Sequence, residues 1–368
     1  MSLKTLTLTL VLVALLSLTL PVHASAPVDA GLAWLKSQQQ ADGGFGTGFS
    51  EGSDLGATCD AILAIASGGQ DAAAWVSEAG NSPVDYLYSQ VMSGRPDKIN
   101  LKAKVVLALL AAGQDPMTFA GRDLIADLDS AYDQDTGSYG GNIFDQALVM
   151  LALFDAGQPV PEAAAQYLLD NQTTDGAWAL FGGTAASTGD TNTTALAIQA
   201  LLATSHRDSI GEAFAYLHRV QNSDGGFPYQ VPSDYGTDTD ANSTAYVLQA
   251  LLAAGESLST WAPAGTDPLG ALVALHDPES GAFFWQAAVP FPNLLATAQA
   301  IPAVAGYTFL NLPRVAATSA PEAVAGSGTI LLPESGGASP LPVGLIGLGA
   351  IAVLVGAVLR RRARTTGN

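Results

Sequence analysis

A twelve-residue phrase recurs three times without a gap: an aromatic residue and Leu, then Gln, then Asp-Gly, then Gly or Ala, then a second aromatic. It reads Trp34-Leu35, Gln39, Asp42-Gly43-Gly44-Phe45; Tyr167-Leu168, Gln172, Asp175-Gly176-Ala177-Trp178; and Tyr216-Leu217, Gln221, Asp224-Gly225-Gly226-Phe227. Such copies mark a repeat array, in which each unit buries its apolar face against the next. Chemistry then has to be sought in what individual copies add.

Six units of about 40–55 residues follow from this spacing. Each opens on an amphipathic segment: Val28 to Gln40, Pro83 to Met92, Ala120 to Tyr132, Pro161 to Gln172, Ser209 to Gln221 and Pro268 to His276. A Gly-aromatic turn follows, surviving as Gly137-Ser138-Tyr139 and Gly281-Ala282-Phe283 outside the full copies and eroded around Gly94. Each unit then closes on an Ala/Leu-rich run: Leu55 to Ser67, Leu101 to Ala112, Phe144 to Ala156, Thr193 to Thr204, Ser243 to Ala254 and Leu294 to Ala305. Helices apolar on every side are buried on every side, so these runs predict an inner layer and the amphipathic segments an outer one. The expected fold is all-α, an (α/α)6 toroid of six helix pairs. Gly68, Gly113, Gly157, Gly255 and Gly306 are expected to end inner helices in the left-handed conformation.

In the turns, Asp42, Asp175 and Asp224 can bond their own backbone, the next Gly can take positive φ, and the preceding Gln can satisfy carbonyls at the outer helix end. These residues are expected to be scaffold.

The ends differ from the middle. Residues 1–26 combine Lys4, an apolar stretch from Leu6 to Leu20 and Ala24-Ser25-Ala26, the pattern of a secretory signal peptide. Residues 27–310 carry the repeats, 311–331 form a Pro/Ala/Gly/Ser linker, and 332–368 hold Leu332-Pro333-Glu334-Ser335-Gly336, an apolar span from Val343 to Leu359 and the basic tail Arg360-Arg361-Arg362 and Arg364. That tail orients the span with its end in the cytoplasm. The C-terminus resembles a bacterial cell-wall sorting signal, with Ser335 in place of the usual threonine. Export and display on the cell surface follow as expectations, with a membrane anchor or sortase attachment as the two routes.

One cysteine, Cys59, and four histidines leave no disulfide and no thiolate-rich zinc site. No metal and no cofactor are expected. The net charge of −19 argues against a nucleic-acid partner, because phosphate backbones are repelled.

The aromatic-Leu-x3-Gln phrase is similar to the repeat of squalene and other terpenoid cyclases. Residues 28–310 resemble the prenyltransferase/squalene-cyclase-like superfamily, with a weaker likeness to the helical domain of vitamin B12 carriers. The resemblance implies a toroid that holds a ligand or substrate in its central cavity. Cyclases that begin by protonating an alkene carry Asp-x-Asp-Asp-Thr-Ala at such a site. Here Asp190-Thr191-Asn192-Thr193-Thr194-Ala195 and Asp240-Ala241-Asn242-Ser243-Thr244-Ala245 place an amide where the proton-donating middle Asp belongs. An amide has no proton of useful acidity. The candidates for a residual catalytic acid are Asp190, Asp238 and Asp240. The prenyltransferases' zinc ligands have no counterpart, since Cys59 lies in the first unit while His206, His218 and His276 lie outside the inner-helix starts.

The expected ligand site is the mouth formed by those starts: Asp54, Asn142, Asp145, Gln146, Asp190, Asn192, Asp240, Asn242 and Asn293, with Trp178, Tyr246 and Trp285 offering aromatic faces. Asn100, Asn192, Asn242 and Asn293 recur at these starts, where an Asn is equally suited to cap the helix. The expected function is non-catalytic binding of a small apolar or amphipathic molecule or a partner. The alternatives are a terpenoid-cyclase-like enzyme acting on a polyprenoid, and a surface enzyme acting on polysaccharide.

Overall fold

The computed structural model describes residues 26–48, 51–234 and 236–315. The expected leader up to residue 25, the linker from residue 316, the Leu332 to Gly336 pentapeptide, the apolar span and the arginine tail lie outside the described residues. Among the described residues no helix is long and apolar enough to cross a membrane.

Twelve α-helices among the described residues alternate between two layers. The outer ones are α1 (Ala26–Ser37), α3 (Pro83–Met92), α5 (Leu124–Asp129), α7 (Glu162–Asp170), α9 (Gly211–Val220) and α11 (Pro268–Val273). The inner ones are α2 (Leu55–Ser67), α4 (Ile99–Ala111), α6 (Ile143–Asp155), α8 (Thr191–Ala203), α10 (Ala241–Ala254) and α12 (Leu294–Val304). Every inner helix packs on the inner helix before and after it, and α12 packs on α2, so the inner layer is a closed barrel. Sequence explains the layering: all thirteen residues of α2 are buried, whereas α9 buries Ala213, Tyr216, Leu217 and Val220 on one face.

Two elements depart from expectation. Helix α5 is far shorter than the span Ala120 to Tyr132, because Ala120 adopts φ 53° in a preceding 3-10 turn and Asp123 caps a fresh start by accepting the Ala126 N–H at 2.9 Å. The fold is also not wholly helical: β1 (Phe284–Gln286) pairs antiparallel with β2 (Val289–Pro292) as a hairpin between α11 and α12.

The turn of each unit is where the units interlock. Gly43, Gly137, Gly176, Gly225 and Gly281 all have positive φ, and a Cβ on any of them would collide with a backbone carbonyl at the start of another outer helix or its cap: Ser82, Ala163, Glu212, Thr266 and Ala30. Gly281 against Ala30 joins the last unit to the first. In the eroded second unit, Gly94 faces open space, so no close approach holds the phrase fixed there. The turn aromatics are then secured from inside: the N–H groups of Phe45, Trp178, Phe227 and Phe283 donate to the hydroxyls of Thr58, Thr194, Thr244 and Thr297 at 2.8–3.0 Å.

The glutamines do something other than satisfy the outer helix ends. Gln39, Gln172 and Gln221 donate to the carbonyls of Gly43, Gly176 and Gly225, and the first and third also reach Trp75 O and Trp261 O at 2.7 Å. They hold the turn and tie it to a neighbouring segment. At the inner-helix ends Gly113, Gly157, Gly255 and Gly306 are left-handed, but Gly68 is not: its φ is −84° and Gly69 takes φ 71°. Gly68 is there for close packing, since a Cβ would strike the Leu32 side chain.

Chain packing continues beyond residue 310. The segment 307–315 runs across the C-terminal ends of the inner helices: Phe309 N–H donates to Gln199 Oε1 at 3.0 Å, Val315 N–H to Ala111 O at 3.2 Å, and Arg314 to Asp155 O. This segment closes one mouth of the barrel.

Candidate functional site

The other mouth lies at the N-terminal ends of the inner helices, where cap chemistry decides which side chains are available. Asp54, Asn142, Asp190, Asp240 and Asn293 are the N-caps of α2, α6, α8, α10 and α12, each accepting a backbone N–H of the first turn at 2.7–2.9 Å. Their side chains are engaged by the scaffold. Asn100, Asn192 and Asn242, which the sequence also offers as caps, sit inside the first turn instead. In α8 and α10 the Asp two residues earlier does the capping, so the amides of Asn192 and Asn242 are released to the barrel.

Several predicted site residues prove to be structural. Gln146 is fully buried and saturated: its Oε1 accepts from Tyr139 N–H at 2.8 Å and its Nε2 donates to Gly137 O and Ala164 O. Trp178 is the turn aromatic, with its indole N–H donated to Leu168 O at 2.7 Å inside α7. Trp285 lies half-buried on hairpin strand β1 and lines neither interior pocket. Asp238 is exposed on the loop before α10 and does not line the barrel. Tyr246 does reach the interior, edge-on to Phe144 and stacked on Phe309.

The barrel centre holds a feature absent from the expected site. Lys104 of α4 and Asp60 of α2, only 3% and 5% exposed, form an ion pair in which Lys104 Nζ reaches both carboxylate oxygens at 2.7 and 2.8 Å. Gln299 of α12 donates to Asp60 Oδ2 at 3.0 Å and accepts from Asn242 Nδ2 at 2.8 Å. Burial pulls the Lys104 ammonium down more than any single neighbour raises it, but the charge and hydrogen bond of Asp60 together with Tyr246 and Cys59 outweigh it and the net shift is upward. The sequence shows the charges but not their pairing: Asp60 is the one charge in Leu55 to Ser67, and Lys104 is one of two, with Lys102, in Leu101 to Ala112.

This network divides the interior into two pockets. One, of about 430 Å³ including the open space at its edge, lies towards the closed mouth between Asp60, Leu63, Tyr246, Gln299, Pro302 and Phe309. The other, of about 390 Å³ measured the same way, lies at the open mouth between Asn100, Lys104, Asp145, Asp190, Asn192 and Thr193, with Phe144, Leu148, Leu180 and Tyr229 completing the wall. The mouth pocket is acidic, with the carboxyls of Asp145 and Asp190 set in a wall that is otherwise largely apolar. Asp145, third residue of α6 and 7% exposed, shares this pocket with Asn100, and its Oδ1 has no hydrogen-bond partner; the buried Oγ1 of Thr193 has none either.

Burial sets the protonation of the mouth. It pushes Asp145 up to about 6, against the bonds from Asn142, Asn100 and the charge of Lys98. Burial likewise raises Asp190 to about 6 and Asp240 to about 7, although the first-turn N–H groups they cap favour the ionised form. Cys59 is fully buried and its thiol is pushed up by the same cause, an inert group. Among the described residues no group of His, Cys, Asp and Glu could hold a metal ion.

Comparison with known proteins agrees with this geometry. The squalene-hopene cyclase C-terminal domain matches residues 121–272 and the prenyltransferase alpha-alpha toroid domain matches residues 2–99. No curated protein matches. Among solved structures, the type II terpene cyclase MstE from Scytonema superposes with a TM-score of 0.55 at 18% identity, covering 77% of this chain and 97% of that one. A protein from Actinoplanes gives 0.52 at 16% identity, with 77% and 99% covered. A glycosidase variant gives 0.56 at 14% identity, with 77% and 96% covered. At such identities the shared property is the fold.

Proposed function

We infer that this terpene-cyclase-like α/α toroid, carrying squalene-hopene-cyclase and prenyltransferase repeat signatures, captures a small molecule at the open mouth of its barrel and does not start carbocation chemistry. The observation that carries this reading is the division of labour at α8 and α10. Asp190 and Asp240 are turned back onto their own helices as caps, and the residues released into the barrel, Asn192 and Asn242, are amides. A cyclising acid has to present its proton to an alkene in an apolar chamber. Here the chamber is crossed by the Lys104–Asp60 pair and its Gln299 and Asn242 partners, which interrupt the apolar space a polyprenoid would need in order to lie extended.

Incubation of the protein with geranylgeranyl substrates tests this directly. Bound but unchanged substrate, or none bound, is the expected result; cyclised product that disappears in Asp190→Asn or Asp240→Asn would overturn it. A hydrolytic role has one observation in its favour, the pair of buried carboxyls Asp145 and Asp190 on one pocket, in a fold also seen in a glycosidase. Release of sugar from surface polysaccharide, lost on Asp145→Asn or Asp190→Asn, would establish it. We further propose that the toroid is displayed outside the cell on its C-terminal segment, which protease shaving of intact cells would detect.

A further inference from the structure

We propose that the mouth pocket takes the protonated amino head of a small organic amine, seated against Asp145 and Thr193. The proposal rests on the capture reading and names its ligand class.

Charge comes first. Lys104, the cation in the pocket wall, is already neutralised by bidentate contact with Asp60, so Asp145 and Asp190 leave the space acidic. Two carboxylates on one enclosed pocket repel an anionic ligand outright. A neutral hydroxyl can donate to one of them but leaves their charge uncompensated in a poorly solvated place.

Unused bonding capacity points the same way. Asp145 Oδ1 and Thr193 Oγ1 are buried without a partner, while Asp145 is 7% and Thr193 0% exposed. An ionised carboxylate only accepts, and an alkylammonium supplies three donors and no acceptor. A charge-assisted bond to Asp145 with a second to Thr193 uses both orphaned atoms. Phe144, Leu148 and Leu180 then offer an apolar wall to the carbon chain. The net charge of −19 on the whole chain favours approach of cations.

The groups facing Asp145 from the packed elements are Asn100, Lys98 and Lys104 on or beside α4, Asp190 on α8 and the phenol of Tyr229. Of these, Lys98 works against a cation from outside the pocket, and salt will screen it. Protonation of Asp145 and Asp190, both held near 6, competes with the amine, so affinity falls as pH drops through that range.

Isothermal titration of the full-length protein with n-butylammonium, n-butanol, methyl glucoside and potassium chloride decides the matter. Butylammonium is expected to bind saturably at pH 7.5, at least tenfold more tightly than butanol, and at least tenfold more weakly at pH 5. Asp145→Asn, with folding checked by circular dichroism, is expected to lower its affinity at least tenfold. The pH series on the unsubstituted protein needs no variant and stands if Asp145→Asn fails to fold. Equal affinity for butanol, affinity unchanged between pH 7.5 and 5, or potassium competing one for one at millimolar levels overturns the amine class. Binding of methyl glucoside but not butylammonium, weakened by Asp145→Asn, sinks the amine and leaves capture standing; no binding of any probe counts against both.

Discussion

Replacing Lys104 with Met removes the countercharge of a carboxylate that has almost no contact with water. Asp60 would keep only the 3.0 Å bond from Gln299, with its ionised form stranded in the barrel. Removing one partner of a buried pair costs about 3–5 kcal/mol. A domain of about 290 residues unfolds with an entropy near 0.6 kcal/mol/K, so a loss of about 4 kcal/mol lowers Tm by about 7 °C. Asp60→Leu strands the ammonium instead and should cost a similar amount. The paired variant Asp60→Leu with Lys104→Met exchanges two charges for apolar volume and should lie within about 2 kcal/mol of the unsubstituted protein, because Gln299 alone loses a partner. Urea unfolding followed by circular dichroism, arranged as a double-mutant cycle, is expected to give a coupling of at least about 3 kcal/mol. A Lys104→Met protein melting within about 1 °C of the original, or a paired variant losing the sum of the single changes, would refute the picture of a dry central ion pair.

Other expectations follow from the turns, the carboxyls and the closed mouth. Gly225→Ala forces a Cβ onto Thr266 O at φ 88° and should cost more than about 3 kcal/mol, whereas Gly94→Ala, equally left-handed but in open space, should cost about 1 kcal/mol by chemical denaturation. Asp145, Asp155, Asp190 and Asp240 have raised pKa values of about 6 to 7 because burial disfavours their ionised forms. The folded protein therefore holds protons that the unfolded chain releases, and stability present below pH 4 is lost as pH rises to 7. Asp133, Asp175 and Asp277, shifted downward, act only below that window. Unfolding free energy should thus be lower at pH 7.5 than at pH 5 by a few kcal/mol, each tenfold difference in proton affinity being worth about 1.4 kcal/mol; equal values would contradict it. Phe309→Ala removes the ring stacked on Tyr246 and should cost about 3 kcal/mol while admitting a small apolar probe such as benzene to the rear pocket, read by crystallography or NMR.

The double-walled ring was legible because its cause is local. Ala/Leu runs such as Leu55 to Ser67 have no polar face to turn outward, and the Asp-Gly-aromatic turns permit one backbone path. What the sequence concealed was competition among neighbours for the same job. Asp190 and Asn192 are both good caps, and only helix phase decides that the first is used and the second faces inward. Gln146 reads as a binding group until Tyr139 and Ala164 are seen to occupy both ends of its amide. The Lys104–Asp60 pair needed two helices from different units to be juxtaposed, and spacing along one chain carries no such information. Asp145 is legible in the sequence as a charge at an inner-helix start, but that its Oδ1 is buried without a partner depends on how the neighbouring helices pack around it.

The seating of Gly281 on Ala30 has a further meaning. An open solenoid can gain or lose a repeat at its end with modest effect, since terminal repeats each touch one neighbour. A circle has no such freedom: deleting a helix pair changes the angle every remaining pair must subtend, so evolution can edit this molecule one residue at a time but not one module at a time. The same circularity makes the place where the polymer starts arbitrary, and a permuted version opened at the loop around Gly94, with the old ends joined, should close into the same hoop.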